Sequence, residues 1–466
     1  VSRARSSFAA ALLGAALTAC ATPRDGEAEY VPAPLDAPPG AAAPVTSADP
    51  LEAGPRPALD LDACLRLARE NSRRLSVAAR RVLIADDRVD ETIAGILPRL
   101  SAEGRFSARN NDAGVQRPGA PGISFQEREV GTASLSAIVP IYSFGRSSNR
   151  YDAATLGVEV AELEQTQAHQ DLELAVRDAY FRLLEAQKIA LVVEASLEVI
   201  DRQLEVARDF LAQDLVARSD VLAVEVQRAE RQQESILAAN NIDLATAVLN
   251  RLLGLPGDQR TAVQDVLEVV PVRTDLRDVL RLAIERRPDL EVARRRISIA
   301  QSQWRATRAD FFPIIYAFGS YNYTSDEFQL NQDWLSGGAA IEWPIFDGGV
   351  TYTRLRRQER EIDEAIDLRD ERLDDAVLEV RQAWLEQHAA AERVPVARKA
   401  IELADENLRI VRDQYGQGLV TSTDVLLEED RLSRARSSHF RALYSYHQAH
   451  ARLTHAIGGS APGHTP

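Results

Sequence analysis

The sequence predicts an α+β chain built twice over, each copy a strand pair followed by a hairpin of very long helices. Three observations carry this. Landmarks recur at fixed offsets: Ala68–Leu75 aligns with Ala283–Leu290 and Pro98 with Pro313 at an offset of 215. Pro140-Ile141-Tyr142 aligns with Pro344-Ile345-Phe346, and Gly254 with Gly458, at 204, the signature of an internal repeat. Period-two segments sit at matching places in both copies, as half-buried strands require. Runs of apolar residues spaced 4-3-4-3 then continue far beyond the ~10–14 residues of a globular helix. Composition narrows the function classes. Of 466 residues, 45% are hydrophobic and 27% charged, which excludes disorder and a helical membrane protein. A net charge of −15 has the wrong sign for a nucleic-acid binder. The two cysteines, Cys20 and Cys64, exclude a disulfide framework and a cysteine-rich zinc site.

Residues 1–19 read as a signal peptide. Arg3 and Arg5 precede an apolar run, Phe8 to Leu17, that is too short to span a bilayer. The run ends in Leu17-Thr18-Ala19-Cys20, which resembles a bacterial lipobox and implies lipidation of Cys20. With Ala21 rather than Asp following it, that resemblance implies sorting to the outer membrane. Residues 20–58 hold nine of the 21 prolines, all by Pro57, and form an extended tether rather than a core. No later stretch approaches the ~18 apolar residues of a membrane helix.

Repeat 1 spans 59–255 and repeat 2 spans 275–458, joined by a linker at 256–274 and followed by a tail at 459–466. Each repeat begins with a helical segment, Leu61–Leu97 or Leu276–Asp310. Along Arg99–Arg109, Leu100, Ala102, Gly104, Phe106 and Ala108 alternate with Arg99, Ser101, Glu103, Arg105 and Ser107. Val130–Tyr142 alternates likewise, and the counterparts in repeat 2 are Ile314–Ser325 and Ser336–Phe346. The offset change from 215 to 204 places an insertion at Asn110–Gln126, whose Gly, Pro and Asn content predicts a loop. Strands of about ten residues match a bilayer-spanning barrel, and their charged face suits a wet lumen. Four strands cannot close a barrel, since about eight is the minimum; membrane strands here require several chains to share one barrel.

Proline is absent between Pro140 and Pro256. There Leu172, Val176, Ala179, Leu183, Ala186, Ala190, Val193, Leu197, Ile200, Leu204, Ala207 and Leu211 form an unbroken seam. Shifted by 204, only Gln387 departs from the apolar rule. A second apolar set, including Phe181, Leu184 and Val192, gives the helix a partner on each flank. From Gly145 to about Asp214 such a helix is ~100 Å long at 1.5 Å per residue. Pro395 inside its counterpart is expected to kink it. The return helices, Ser219 to Gly254 and Thr423 to Gly458, are about half as long, and Leu61–Leu97 and Leu276–Asp310 complete their columns by stacking end to end.

With Pro-Ile-Tyr-Ser-Phe-Gly (140–145) and Trp-Pro-Ile-Phe-Asp-Gly-Gly (343–349) where strand passes into helix, the chain resembles the TolC-like outer-membrane efflux family. The hairpin tip Tyr415–Leu426 matches the family's tip pattern, and Gln213–Leu222 matches it with Asp214 where Gly is usual. The resemblance covers about Leu59 to Gly458. It implies a homotrimer whose twelve strands form one outer-membrane barrel, continued by a long α-helical periplasmic barrel. It further implies passive efflux, or type I secretion, for an inner-membrane pump through a periplasmic adaptor. On this resemblance the adaptor docks at Leu215, Val216, Gly418, Leu419 and Val420. Asp424 would form an acidic ring whose crowding favours raised pKa values or bound cations, so that the entrance prefers cations, and Tyr415 and Asp220 would tie the tips in a closed gate, with Val420 where relatives carry an arginine.

Chemistry finds little support. His439, His447, His450 and His455 lack nearby carboxylates in sequence, and no nucleophile–base pattern or phosphate loop occurs. The reading is therefore of no enzyme, no cofactor and no metal, with outer-membrane lipid as a further partner. The alternative is a structural coiled-coil lipoprotein, which explains the tether and heptads but not four alternating strands.

Overall fold

A computed structural model describes residues 58–459, apart from 111–112, 116–117, 120–122, 215 and 267–274. The signal segment, Cys20, the tether and Leu215 therefore lie outside the described residues. In chain order the elements of the first repeat are α1 (Leu61–Asn71), α2 (Arg73–Ala94), β1 (Arg99–Ala108), β2 (Ala113–Val115), β3 (Ile123–Gln126), β4 (Glu129–Tyr142), α3 (Arg146–Ala212) and α4 (Arg218–Leu253). The second repeat supplies α5 (Leu276–Arg286), α6 (Pro288–Arg308), β5 (Ile314–Thr324), β6 (Asp333–Glu342), α7 (Val350–Gly416) and α8 (Ser422–Ala456).

The single helix expected at the start of each repeat is two helices. Ser72 breaks the first with an extended backbone (φ −70°, ψ 114°), while its hydroxyl accepts from the Leu75 amide to open α2. In the second copy Pro288 takes the first helical position, and Arg287 before it is extended (φ −67°, ψ 119°), because a residue preceding proline is excluded from the helical region. The same break thus arises from a cap in one copy and from a proline in the other.

The long helices α3 and α7 have 67 residues each. Of the expected seam in α3, Leu172, Val176, Ala179, Leu183, Val193, Ile200, Leu204 and Ala207 are buried. Helix α7 is continuous through Pro395. The main core gathers Cys64 and Leu65 of α1, Tyr180 and Leu183 of α3, Leu249 and Leu253 of α4, and Tyr444 of α8. Burial pushes the Cys64 thiol up to about 11, so it behaves as a small apolar group. The segment after α4 is stitched to this core: Leu59 forms a parallel bridge with Val263, and the Tyr180 hydroxyl donates to the carbonyls of Leu59 and Gln264.

The end-to-end stack forms at glycine junctions. Asn71 Nδ2 donates to the Leu253 carbonyl at 3.0 Å, and a Cβ on Gly254 would sit 2.6 Å from that of Asn71. Gly458 approaches the Arg286–Arg287 backbone to 2.9 Å by the same measure. Both glycines have positive φ, 73° and 84°, a helix-ending conformation that glycine adopts freely. Arg287 reinforces the second junction by donating to the Ala456 carbonyl while paired with Asp289 and Glu379.

The four principal strands form one antiparallel sheet in the order β1-β4-β5-β6. Two expectations change. The Asn110–Gln126 insertion is not wholly loop, since β2 and β3 pair as a short hairpin. The last strand starts at Asp333 and stops at Glu342, four residues before Phe346; its counterpart β4 reaches Tyr142 because β5 pairs with its end.

Candidate functional site

The sheet has two chemically distinct faces. Register places Ser101, Ser136, Ser320 and Ser336 in one row across all four strands. The hydroxyls of Ser101 and Ser136, and of Ser320 and Ser336, are 2.7 Å apart. The next row holds Glu103, Ser134, Asn322 and Trp334, followed by Arg105, Thr132 and Thr324. Arg105 pairs with Glu103 at 2.9 Å. The opposite face carries Leu100, Phe106, Leu135, Tyr321, Leu335 and Ile341, all exposed. An apolar face this extensive marks a surface that meets lipid or protein rather than water, and the hydroxyl-rich face is the one that water can wet. Below the strands aromatic groups cluster. Phe144 stacks on Phe312 at 5.4 Å, Tyr142 meets Phe144 at 4.7 Å, and Trp343 Nε1 donates to the Phe311 carbonyl. Among the described residues no helix is long and apolar enough to cross a membrane.

The two helix tips form the other part of the site. The first closes through Asp214 in the left-handed region (φ 52°), the second through Gly418 (φ 73°). The turn after α7 is fastened by the amides of Gly418 and Leu419, which donate to the carbonyls of Tyr415 and Gln414 at 3.0 Å. Leu419 is 69% exposed; Val216 and Val420 are half-buried. The tips pack against each other: Ile200, Leu204, Val221 and Val224 of the first hairpin enclose Leu426 of the second. Arg231, buried on α4, reaches Asp430 on α8 at 3.0 Å. Sequence reasoning missed this bridge, because neither residue has a charged counterpart in the other repeat.

Each expected gate residue has a definite environment. The Tyr415 ring lies 6.3 Å from that of Phe210 on α3. Burial raises its pKa, and the charge of Asp220 on α4 adds to the rise. Within the chain the Tyr415 hydroxyl makes no hydrogen bond to Asp220; the side chain of Gln203 on α3 interacts with it and opposes part of the rise. The ring contact with Phe210 is what joins Tyr415 on α7 to α3. Asp424 has a partner within its own hairpin. Its carboxylate accepts from the hydroxyl and amide of Thr421 at 2.7 and 2.8 Å, closing a capping box on α8. Within one chain those bonds hold its pKa below the usual aspartate value, because hydrogen bonds to the ionised form favour it.

The histidines are dispersed in role. His447 stacks on Phe181 at 4.8 Å, and burial lowers its pKa to about 4, leaving it neutral at pH 7. His455 meets Asp171 at 2.8 Å, a carboxylate that also binds Arg74. Among the described residues no group of three or more His, Cys, Asp or Glu is placed to hold a metal ion.

Comparison with known proteins agrees on one family. The profile of the outer membrane efflux protein family matches residues 64–255 and 279–459, the two repeats. The cation efflux system protein CusC of Escherichia coli O157:H7 is 26% identical over 403 residues, covering 84% of each chain. The probable efflux pump outer membrane protein TtgC of Pseudomonas putida is 24% identical over 383 residues, covering 78% of this chain and 76% of its own. The crystal structure of the outer membrane protein VceC of Vibrio cholerae superposes with a TM-score of 0.74 at 23% identity, covering 86% of this chain and 96% of that one.

Proposed function

The chain belongs to the outer membrane efflux protein family, whose members are exit ducts through the outer membrane, and from that premise we propose how this one is assembled and operated. Three copies join their sheets into a twelve-stranded barrel, with the serine-rich face lining the lumen and the apolar face toward lipid. The carrying observation is the open sheet itself. Its edges, β1 and β6, have no partner strand among the described residues, and an unpaired edge in a membrane is untenable because every backbone group must be bonded. The edge strands point in opposite directions, so joining β6 of one copy to β1 of the next keeps the ring antiparallel throughout.

The long helices continue the duct into the periplasm. Cys20 carries the lipid that adds to the barrel's anchorage in the membrane. A periplasmic adaptor docks on the tips at Leu215, Val216, Gly418, Leu419 and Val420 and hands over cargo from an inner-membrane pump. Tyr415, Asp220 and Asp424 surround the entrance as its gate. Asp424 keeps its negative charge at neutral pH, so three copies favour cations there.

Native mass and single-channel conductance of purified protein in planar bilayers test this reading. A trimer giving discrete, cation-preferring openings is expected, with Asp424→Ala reducing the preference. A monomer that leaves bilayers insulating would refute it.

A further inference from the structure

We infer that β6 of one copy pairs with β1 of the next in one specific register, and that Trp343–Phe346 joins the strand on assembly. In that register Gly338 lies opposite Ser107, Ala340 opposite Arg105 and Glu342 opposite Glu103 of the neighbouring copy. The inference deepens the barrel proposed above and rests on it.

The two halves of the sheet are the same object. β1 pairs with β4 from Arg99↔Ile138 to Ala108↔Glu129. Moved by the repeat offsets, 215 for the first strand and 204 for the second, this becomes Ile314↔Glu342 to Tyr323↔Asp333, which is the observed β5–β6 register. The joint between the halves is also observed: Ser134↔Asn322, Ser136↔Ser320 and Ile138↔Phe318. A ring of such halves that keeps one kind of joint must repeat it where chains meet. Adding 204 on the β4 side and removing 215 on the β5 side turns those pairs into Gly338↔Ser107, Ala340↔Arg105 and Glu342↔Glu103.

A second observation points the same way. β4 spans 14 residues and β6 ten, although their starts, Glu129 and Asp333, are equivalent. β4 continues past its last β1 partner, Ile138, because β5 offers Ala317, Tyr316 and Ile315 to Val139, Pro140 and Tyr142. Trp343–Phe346 has no such support within one chain, and Ile345 and Phe346 stand 83% and 88% exposed. The inferred joint supplies it, with Ala102, Ser101 and Leu100 of the next copy opposite Trp343, Pro344 and Phe346.

Side chains fit this register. The small residues Gly337, Gly338, Ala339 and Ala340 of β6 come to face Ala108, Ser107, Phe106 and Arg105, so Phe106, 70% exposed in one chain, lies across from an alanine. Glu342 lies diagonal to Arg105, within reach of a long side chain. Arg105, which already holds Glu103, then serves two carboxylates and offsets the repulsion of the Glu342–Glu103 pair. A one-residue slip would instead turn Phe106 and its apolar companions toward the lumen.

Paired cysteines test the register. Directly opposed Cβ atoms are ~4.5–5.5 Å apart, near enough for an oxidant or a short bis-thiol bridge. A Cβ at Gly338 meets only the Phe318 ring, at 3.5 Å, so Gly338→Cys fits, and Cys64 is buried. Ser107→Cys with Gly338→Cys should give covalent dimers and trimers, at least ten-fold more than either single variant or the slipped pairs Ser107→Cys/Ser336→Cys and Ser107→Cys/Ala340→Cys. Hydrogen exchange on the unaltered protein supplies a check free of mutation: the Ile345 and Phe346 amides should be protected in the assembled form. Trimers that cross-link best through a slipped pair, or that exchange freely at 345–346, overturn this register while leaving the barrel intact. A native mass of one chain overturns both.

Discussion

The glycine junctions make the sharpest stability test, because the two differ in what a methyl group would strike. At Gly458 an added Cβ meets the carbonyl carbon and oxygen of Arg286 at 2.9 Å and the Arg287 Cα at 3.0 Å. All of these are backbone atoms that cannot step aside. The φ of 84° costs an L-residue about 1–2 kcal/mol, and forced repacking adds about 1–3 kcal/mol. Gly458→Ala should therefore destabilise by about 2–5 kcal/mol. At Gly254 the φ cost is the same, but the 2.6 Å contact is to the Cβ of Asn71, a side-chain atom. Removing it with Asn71→Gly should reduce the cost of a subsequent Gly254→Ala to the backbone share of about 1–2 kcal/mol. The assay is thermal unfolding of the detergent-solubilised protein by circular dichroism, at one scan rate because large assemblies unfold irreversibly. Gly458→Ala with an unchanged melting curve would refute end-to-end stacking. Equal costs for Gly254→Ala with and without Asn71→Gly would show that the Asn71 contact is not the source of strain.

Other outcomes follow from single environments. Gln387 is buried in the α7 seam with its Nε2 lacking a hydrogen-bond partner, so Gln387→Leu should stabilise by about 1–3 kcal/mol; a lower melting temperature would show that the amide is engaged. Burial alone would raise the Asp289 pKa, yet bonds and charges from Arg287 and Arg372 outweigh it and hold it low. That stabilisation is complete above the unfolded aspartate value of ~3.9 and disappears as pH falls through the folded one. Asp289→Asn should thus cost about 1–3 kcal/mol at pH 7, since Arg287 keeps Glu379 as its remaining carboxylate partner, and should flatten the stability loss below about pH 4; a parallel acid limb would exclude Asp289 as its source. Leu419→Asp should abolish transport in cells with trimer yield unchanged, and normal export would remove Leu419 from the docking surface. Tyr415→Phe with Asp220→Ala should raise single-channel conductance; an unaltered double variant would move the gate elsewhere on the tip.

The repeats, the long helices and the four principal strands were legible because each rests on a period that survives one-dimensional reading. Features that depend on a partner in space were not. The break at Arg287 was written in Pro288, but the equivalent break at Ser72 has no such mark, since a serine caps a helix only if the chain around it turns. The hairpin inside the insertion was hidden among Gly, Pro and Asn, which signal turns without saying what lies between them. Phe346 has the apolar character of a strand residue and yet lies outside β6, because strand formation needs an edge to pair with and that edge belongs to another copy. At the tip, residue identity indicated Asp424 and Tyr415; the Thr421-x-x-Asp424 spacing of a capping box was also present in the sequence but went unread, while the contact of Phe210 with the tyrosine needed the fold.

Backbone conformation repeats more faithfully than sequence, and the mismatches locate stored strain. Gly348 and Gly349 before α7 have φ of 70° and 87°; their counterparts before α3, Phe144 and Gly145, have 51° and 88°. At the tips Gly418 has φ 73° where Asp214 has 52°. At two of these positions, Gly348 against Phe144 and Gly418 against Asp214, the second repeat uses glycine, which bears the left-handed conformation freely, and the first uses a residue for which it costs about 1–2 kcal/mol. Such strain persists only where surroundings over-determine it. For Phe144 the cause is visible: its ring is held between Tyr142 and Phe312, at the foot of the sheet where strand turns into helix, so the aromatic contact offsets the backbone cost. Asp214 has no comparable clamp among the described residues, and an aspartate tolerates this region better than other non-glycine residues. Strain is thus braced at the membrane end of the first repeat and left unbraced at its tip, which makes the Asp214 turn, rather than the Gly418 turn, the weaker of the two closures at the entrance.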